Sequence, residues 1–375
     1  MPDLILTAGR MVTPARVFAP GWLRLAGGLV ADVGPGAPPH PADLELPDAT
    51  VVPGFVDVHV HGGGGASFDG GDPAAAETVV RAHRARGTTT MVASLVSDEV
   101  ESLARSARAL GDLVDDGLLA GVHLEGPWLS PKHAGAHEPA LLTAPTPAAV
   151  DHLLEKAGEH LRMVTLAPEL TGGLEAIRRL SAAGVVAAIG HTDATYDEAR
   201  AALDAGATVG THLFNAMRGL HHREPGPVAA LVEHPDAYVE LIADGVHVHP
   251  AMLRMAASAK PHLTSLVTDA MAAAAAPDGD YRLGSLDVSV RSGVARLTGS
   301  GAIAGSTLTT SAAVRYAVQV AGLSLEDAVR AATSTPAAML GLDRVGALRP
   351  GFHADLVVLD GSLDVLRVMR RGAWV

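Results

Sequence analysis

Eight short apolar runs recur along the chain, and stretches of helical periodicity separate them. The runs are residues 56–60, 88–94, 121–124, 162–167, 185–189, 208–213, 238–243 and 263–268. Strands this short and this continuously apolar are buried on both faces, as in parallel sheets. Parallel neighbours need a long crossover, and the intervening helices supply it. Punctuation supports the helices. Thr146-Pro147 reads as an N-cap followed by proline in the first turn, and Gly87 reads as a stop after a helix over 78–86. Eight βα units predict a (β/α)8 TIM-type barrel rather than an open doubly wound sheet.

The ends of the chain read differently. Residues 4–7, 17–18, 22–25, 29–33 and 49–52 are strand-like and joined by Pro/Gly turns, and 354–359 and 365–368 are strand-like again. Barrel ends pass close to each other. The expectation is therefore a barrel domain over 54–340 and a small β-sandwich domain formed from both termini, 1–53 and 341–375. Residues 281–297 alternate in polarity like a hairpin.

Composition excludes several classes. The 375 residues include no cysteine, so a disulfide scaffold, a thiolate zinc site and a cysteine nucleophile are ruled out. A net charge of −13 argues against a nucleic-acid partner. No apolar run approaches the ~20 residues needed to cross a bilayer, and the N-terminus lacks a basic leader. The expectation is a soluble, cytoplasmic protein with no membrane partner. No G-x-S-x-G elbow is present, and the four glycines at 62–65 lack the Lys-Ser/Thr of a phosphate loop. They read as a close backbone approach. Histidine is abundant: 18 His outnumber the 5 Phe, 3 Trp and 4 Tyr together.

The placement of those histidines carries the chemistry. His59 and His61 are two apart at the end of the first strand, so their side chains point to one side. His-x-His alone is weak, and His247-Val248-His249 matches it too. Position strengthens it. Glu125, His191, His212, His247 and Asp269 each fall at the C-terminal end of a different later strand, where barrels gather function. Any one of them reads as an ordinary cap or surface residue, but the set does not. Imidazole and carboxylate donors without thiolate suit zinc or iron and leave the ion Lewis-acidic. Positive charge nearby keeps Asp269 ionised, so it can accept a proton and return it to a leaving group. Arg218, His221, His222 and Arg223 form a basic loop in an acidic chain. Arginine suits bidentate phosphate binding, while Arg218, His221 and His222 read as solvated.

These residues lie in recognisable motifs: PGFVDVHVHG at 53–62, HLEGP at 123–127, KHAGAH at 132–137, GHT at 190–192, THLFNAM at 211–217, REPG at 223–226, ADGVH at 243–247 and TDA at 268–270. With them the chain resembles the amidohydrolase superfamily and, within it, the N-acetylglucosamine-6-phosphate deacetylase family, over nearly its whole length. The resemblance implies one or two divalent ions per subunit, zinc or iron. Glu125, His191 and His212 match the principal metal ligands, His59 and His61 those of a second ion, and Asp269 the catalytic acid/base. Ala136, His137, Asn215, Ala216, Arg223, His247, Ala302, Ile303 and Ala304 match substrate contacts, Arg223 from its own or the neighbouring subunit of a homodimer. The implied reaction is deacetylation of N-acetyl-D-glucosamine 6-phosphate to D-glucosamine 6-phosphate and acetate. The alternative is another amidohydrolase acting on an N-acyl-amino acid or an unphosphorylated amide. The end of the fourth strand carries Ala167-Pro168-Glu169 and no metal-bridging lysine, which counts against the hydantoinase type. A sugar-phosphate sensor on a catalytically dead barrel is disfavoured by the intact set of ligand-type residues. His133 is assigned no role.

Overall fold

A computed structural model describes residues 3–375. Its centre is a barrel of eight parallel strands. These are β1 (Phe55–Val60), β2 (Thr88–Leu95), β3 (Val122–Glu125), β4 (Leu161–Leu166), β5 (Val186–Ile189), β6 (Val209–Gly210), β7 (Tyr238–Ile242) and β8 (Thr264–Val267). They pair in chain order from β1 to β8, every pair parallel. The sixth strand is shorter than the apolar run 208–213 predicts. His212 and Phe214 take left-handed φ values of 29° and 79°, which turn the backbone out of the ladder.

The seam between β8 and β1 closes through loop backbone and one side chain. The Asp269 N–H donates to the His59 carbonyl at 2.9 Å, and the His61 N–H to the Ala270 carbonyl at 2.8 Å. The buried Asp57 carboxylate accepts from the Thr268 hydroxyl at 2.5 Å. Burial pushes the Asp57 carboxyl up to about 6, against those hydrogen bonds.

Helices fill the crossovers: α1 (Pro73–Arg84), α2 (Val100–Asp115), α3 (Pro147–Ala157), α4 (Gly173–Ala182), α5 (Tyr196–Asp204), α6 (Gly226–Glu233), α7 (Pro250–Ala259) and α8 (Thr310–Gln319). Capping sets several of their starts. The Thr146 hydroxyl accepts from Ala149 N–H at 3.2 Å, and Thr195 with Glu198 forms a reciprocal capping box. The first helix starts earlier than its periodicity suggests, because Asp72 caps it and Pro73 opens it.

Both chain ends enter one sheet. Leu44–Pro53 pairs in parallel with Leu4–Val12 and antiparallel with Leu356–Leu359. The sheet curls on itself, since Val30 N–H donates to Phe352 O and Ala354 N–H to Gly28 O, each at 2.9 Å. Leu6, Leu23, Val51, Leu356 and Met369 fill the space it encloses. Past β8 the expected hairpin gains a third strand, giving Gly279–Leu283, Leu286–Arg291 and Val294–Leu297. Its core includes Met271, Ala273 and Ala304. Among the described residues no helix is long and apolar enough to cross a membrane.

Phe55 couples the barrel to the terminal sheet. It is wholly buried, and its ring lies against Gly87, where a Cβ would stand 2.8 Å from Phe55 Cδ2 and 3.1 Å from Val357 Cγ2. Gly87 has φ 99°, so glycine is required there both sterically and conformationally. Phe55→Ala should cost about 3–5 kcal/mol, read as a lower urea midpoint. An unchanged midpoint would show that the two units are not coupled there.

Candidate metal centre

Seven side chains meet at the C-terminal mouth of the barrel, and Glu125 stands at their centre. One carboxylate oxygen, Oε1, lies 2.9 Å from His212 Nε2, 3.1 Å from His191 Nε2 and 3.5 Å from His59 Nε2. The other, Oε2, lies 3.1 Å from His61 Nε2 and 3.3 Å from His137 Nε2. Asp269 Oδ1 is 3.4 Å from His61 Nε2 and 3.6 Å from His59 Nε2. All seven are buried. Two potential ligand sets result, His59–His61–Glu125–Asp269 and Glu125–His191–His212, sharing Glu125.

The strands aim these groups by leaving regular geometry. His191, His212 and Asp269 follow or leave β5, β6 and β8 with left-handed φ of 47°, 29° and 48°. Non-glycine residues adopt this region at a cost of order 1 kcal/mol or more, and such strain concentrates at functional sites. His59, in β1, and His61, directly after it, need no such turn, because strand alternation already points both inward.

The donor set fits a divalent cation. The His133 carbonyl can only accept, so His191 Nδ1 carries the proton at 2.8 Å from it. His191 Nε2 is then an unprotonated lone pair facing His212 Nε2 at 3.0 Å and an anionic carboxylate. His59 Nδ1 likewise donates to Glu240 Oε2 at 3.0 Å, turning its Nε2 lone pair toward His61 Nε2 at 3.2 Å. Lone pairs converging on one another and on carboxylates repel unless a cation lies among them. The carboxylates express the same demand. Burial opposes ionisation of Glu125, yet positive charge on the surrounding imidazoles, His59 first, would hold it well below the usual carboxylate range, and a bound cation would act in the same sense. Burial also opposes protonation of His61, yet Asp269 and Glu125 push it up to about 9. The mouth is built to surround positive charge.

His137 is tuned the other way. Burial, offset only in part by Glu125, brings it down to about 4, so it is neutral at pH 7. Ser97 N–H donates to its Nδ1 at 3.2 Å, which leaves the proton on Nε2, facing the centre. It is an uncharged donor beside the potential metal ligands.

A cavity of about 370 Å³ opens above the centre. Ala136, His137, Asn215, Ala216, His247, Ala302 and Ile303 line it, together with His61, Glu125, His191, His212 and Asp269. Two residues expected at the substrate stand elsewhere. Ala304 is fully buried in the core of the three-stranded sheet, next to the lining residue Ile303. Arg223 is exposed on its loop and outside its own chain's cavity, its Nη1 beside His222 Nε2 at 2.8 Å. His247 is held by Asp244 Oδ2 at 2.6 Å from its Nδ1.

Sequence reasoning missed several supports. Glu240 sits in β7, where a carboxylate inside an apolar strand was the available signal; besides His59, it accepts from the His212 N–H at 3.2 Å. His133, given no role, lines the cavity and orients His191 through its carbonyl. Asp193 ties the loop after β3 to that after β6, through Lys132 Nζ at 2.7 Å and Arg218 Nη2 at 3.2 Å. Only the folded chain brings these together.

The amidohydrolase family matches residues 50–375. Among similar sequences, the N-acetylgalactosamine-6-phosphate deacetylase of Escherichia coli O157:H7 is 38% identical, covering 98% of each chain. The N-acetylglucosamine-6-phosphate deacetylase of Vibrio furnissii is 37% identical over 90% of this chain and 85% of its own. Among solved structures, an aspartate-to-alanine mutant of the N-acetyl-D-glucosamine-6-phosphate deacetylase of Mycobacterium smegmatis, in complex with N-acetyl-D-glucosamine-6-phosphate, is 51% identical. It superimposes with a TM-score of 0.98 over 100% of this chain and 99% of that one.

Glu240→Gln should weaken metal binding roughly 10–100-fold, because a carboxamide polarises His59 less than a carboxylate does. Competition against a calibrated chelator measures this. Unchanged affinity would mean that Glu240 does not support the ligand.

Proposed function

The chain belongs to the amidohydrolase family, and from that membership we infer that it deacetylates N-acetyl-D-glucosamine 6-phosphate to D-glucosamine 6-phosphate and acetate. The observation that carries this reading is the Glu125-centred cluster at the barrel mouth, with Asp269 beside it and a neutral imidazole donor, His137, at its edge. The likeness to the substrate-bound Mycobacterium smegmatis structure supports the same substrate.

Glu125, His191 and His212 would hold one divalent ion, and His59, His61 and Glu125 a second, and such ions would supply Lewis acidity for hydrolysis. The cysteine-free donors favour zinc or iron. The protein's own groups do the rest. Asp269 accepts a proton from the attacking water and delivers it to the nitrogen, so the amine leaves neutral as the C–N bond breaks. His137 Nε2–H donates to the carbonyl oxygen as negative charge grows on it. Its low pKa suits this, since a charged imidazolium would compete with the metal for Glu125. Asn215, Ala216 and His247 line the side of the cavity assigned to the sugar and phosphate. The exposure of Arg223 supports a homodimer in which the partner's Arg223 reaches the phosphate. A phosphorylated sugar does not cross membranes freely, so we place the enzyme in the cytoplasm.

Asp269→Asn should lower kcat about 10²–10⁴-fold with metal content retained, read by acetate release together with metal analysis. Near-normal turnover in the metal-loaded variant would reject the proton-transfer role. Turnover of the 6-phosphorylated sugar should exceed that of unphosphorylated N-acetylglucosamine, and Arg223→Gln should narrow the gap mainly through KM. Equal kcat/KM on both sugars would favour the unphosphorylated-amide alternative. The galactosamine epimer belongs in the same assay, since relatives of both specificities align with the chain.

A further inference from the structure

The opposite end of the barrel holds a second cavity of about 370 Å³, between the strand starts and the terminal sheet. Thr89, Thr90, Gly117 and Ala120 line it from the barrel side, and His353, Asp355, Arg370 and Arg371 from the C-terminal segment. Arg162, at the start of β4, also faces it.

Its charge is anomalous. In a chain of net charge −13, three arginines line one cavity and Arg84 adjoins them. Some arginines elsewhere pair with carboxylates, as in Arg179–Asp151 at 2.8 Å, Arg218–Asp193 at 3.2 Å and Arg330–Asp327 at 2.7 Å. Among the described residues, no carboxylate comes within ion-pair distance of Arg84, Arg162, Arg370 or Arg371. Asp355 is nearest in kind, but it is buried, its carboxyl is pushed up by burial, and its Oδ1 accepts from the Arg371 backbone N–H at 2.6 Å. Asp343, the other acid lining the cavity, is exposed.

Several guanidinium donors are left without partners. Arg162 Nε and Arg84 Nε and Nη2 are buried and make no hydrogen bond. Buried donors of this kind are rare and costly in native proteins. Burial, together with repulsion from Arg84 and Arg371, pulls Arg370 down to about 10. The cluster is nonetheless held in place. Arg370 Nε donates to the Thr89 carbonyl at 3.2 Å and its Nη2 to the Gly117 carbonyl. Arg371 packs over Gly117, where a Cβ would stand 2.9 Å from Nη2.

We propose that this cavity binds a small phosphorylated metabolite through Arg162, Arg370 and Arg371. Guanidinium forks match phosphate oxygens two at a time, and the volume suits a small-molecule ligand. A bound dianion would satisfy the idle Arg162 Nε, relieve the repulsion among the guanidiniums and tie the terminal sheet to the barrel. This site is separate from the metal centre and does not depend on the reaction assigned there.

Inorganic phosphate is the probe, titrated into the metal-loaded full chain against chloride at matched ionic strength. Wild type should show a saturable rise in Tm, because a ligand that binds only the folded state stabilises it. The double variant R162Q/R371Q should bind phosphate in this cavity roughly tenfold or more weakly, with kcat/KM for deacetylation unchanged. The same Tm rise in both proteins, or none in either, would overturn the proposal. Wild-type crystals soaked in phosphate give an answer that needs no variant. Density contacting at least two of the three guanidinium groups supports the site; a cavity without phosphate at a concentration that saturates the Tm rise overturns it.

Discussion

Two carboxylates, Glu125 and Asp269, are buried together with five imidazoles whose Nε2 atoms turn toward them, and the rest of the barrel mouth follows from that concentration of charge. Desolvation alone would neutralise both acids. Both acids are nonetheless held below their usual range and His61 is pushed up, so the site favours positive charge inside it. The ligands cannot relax apart, because outer groups pin them. Glu240 holds His59 by Nδ1 and His212 by its backbone, and the His133 carbonyl holds His191. These are the interactions that fix imidazole tautomers around a metal.

The same constraint explains the local backbone. Eight strands closing into a ring bring their ends to one rim, but a regular strand end does not aim every side chain at the axis. Left-handed turns at His191, His212 and Asp269 do so. The strain is tolerable because the ladders beneath are fixed by neighbours on both sides. It also accounts for the brevity of β6, whose hydrogen-bonding residues are surrendered to that turn.

The fold was legible because its signal is local: an apolar run and a helix, repeated eight times. The ends of those runs also singled out His59, His61, Glu125, His191, His212 and Asp269, which the fold brings together, since a polar residue closing an apolar strand is conspicuous. Legibility failed where meaning depends on tertiary neighbours. Sequence places Ala304 beside Ile303, but only packing shows that one joins a core while the other lines the cavity. Nothing in the vicinity of Ser97 announces that its amide fixes the tautomer of His137, forty residues on. Asp193 reads as a surface acid until Lys132 and Arg218 arrive on it from separate loops.

The arginine cavity is the limiting case of that failure. Arg84, Arg162, Arg370 and Arg371 come from widely separated parts of the chain, share no motif and sit in a strongly acidic sequence. Net charge predicts long-range behaviour, because solvent and salt average it over the surface. It says nothing about a cavity a few ångströms across, where desolvation preserves local fields. The two ends of this barrel make the point with opposite signs. At one end buried carboxylates demand a cation, and at the other unpaired guanidiniums favour an anion. Barrels place chemistry at the C-terminal rim and stability at the N-terminal one. An anion gripped between the terminal sheet and the strand starts would act on the stability face, joining two units of the chain without touching the reacting atoms.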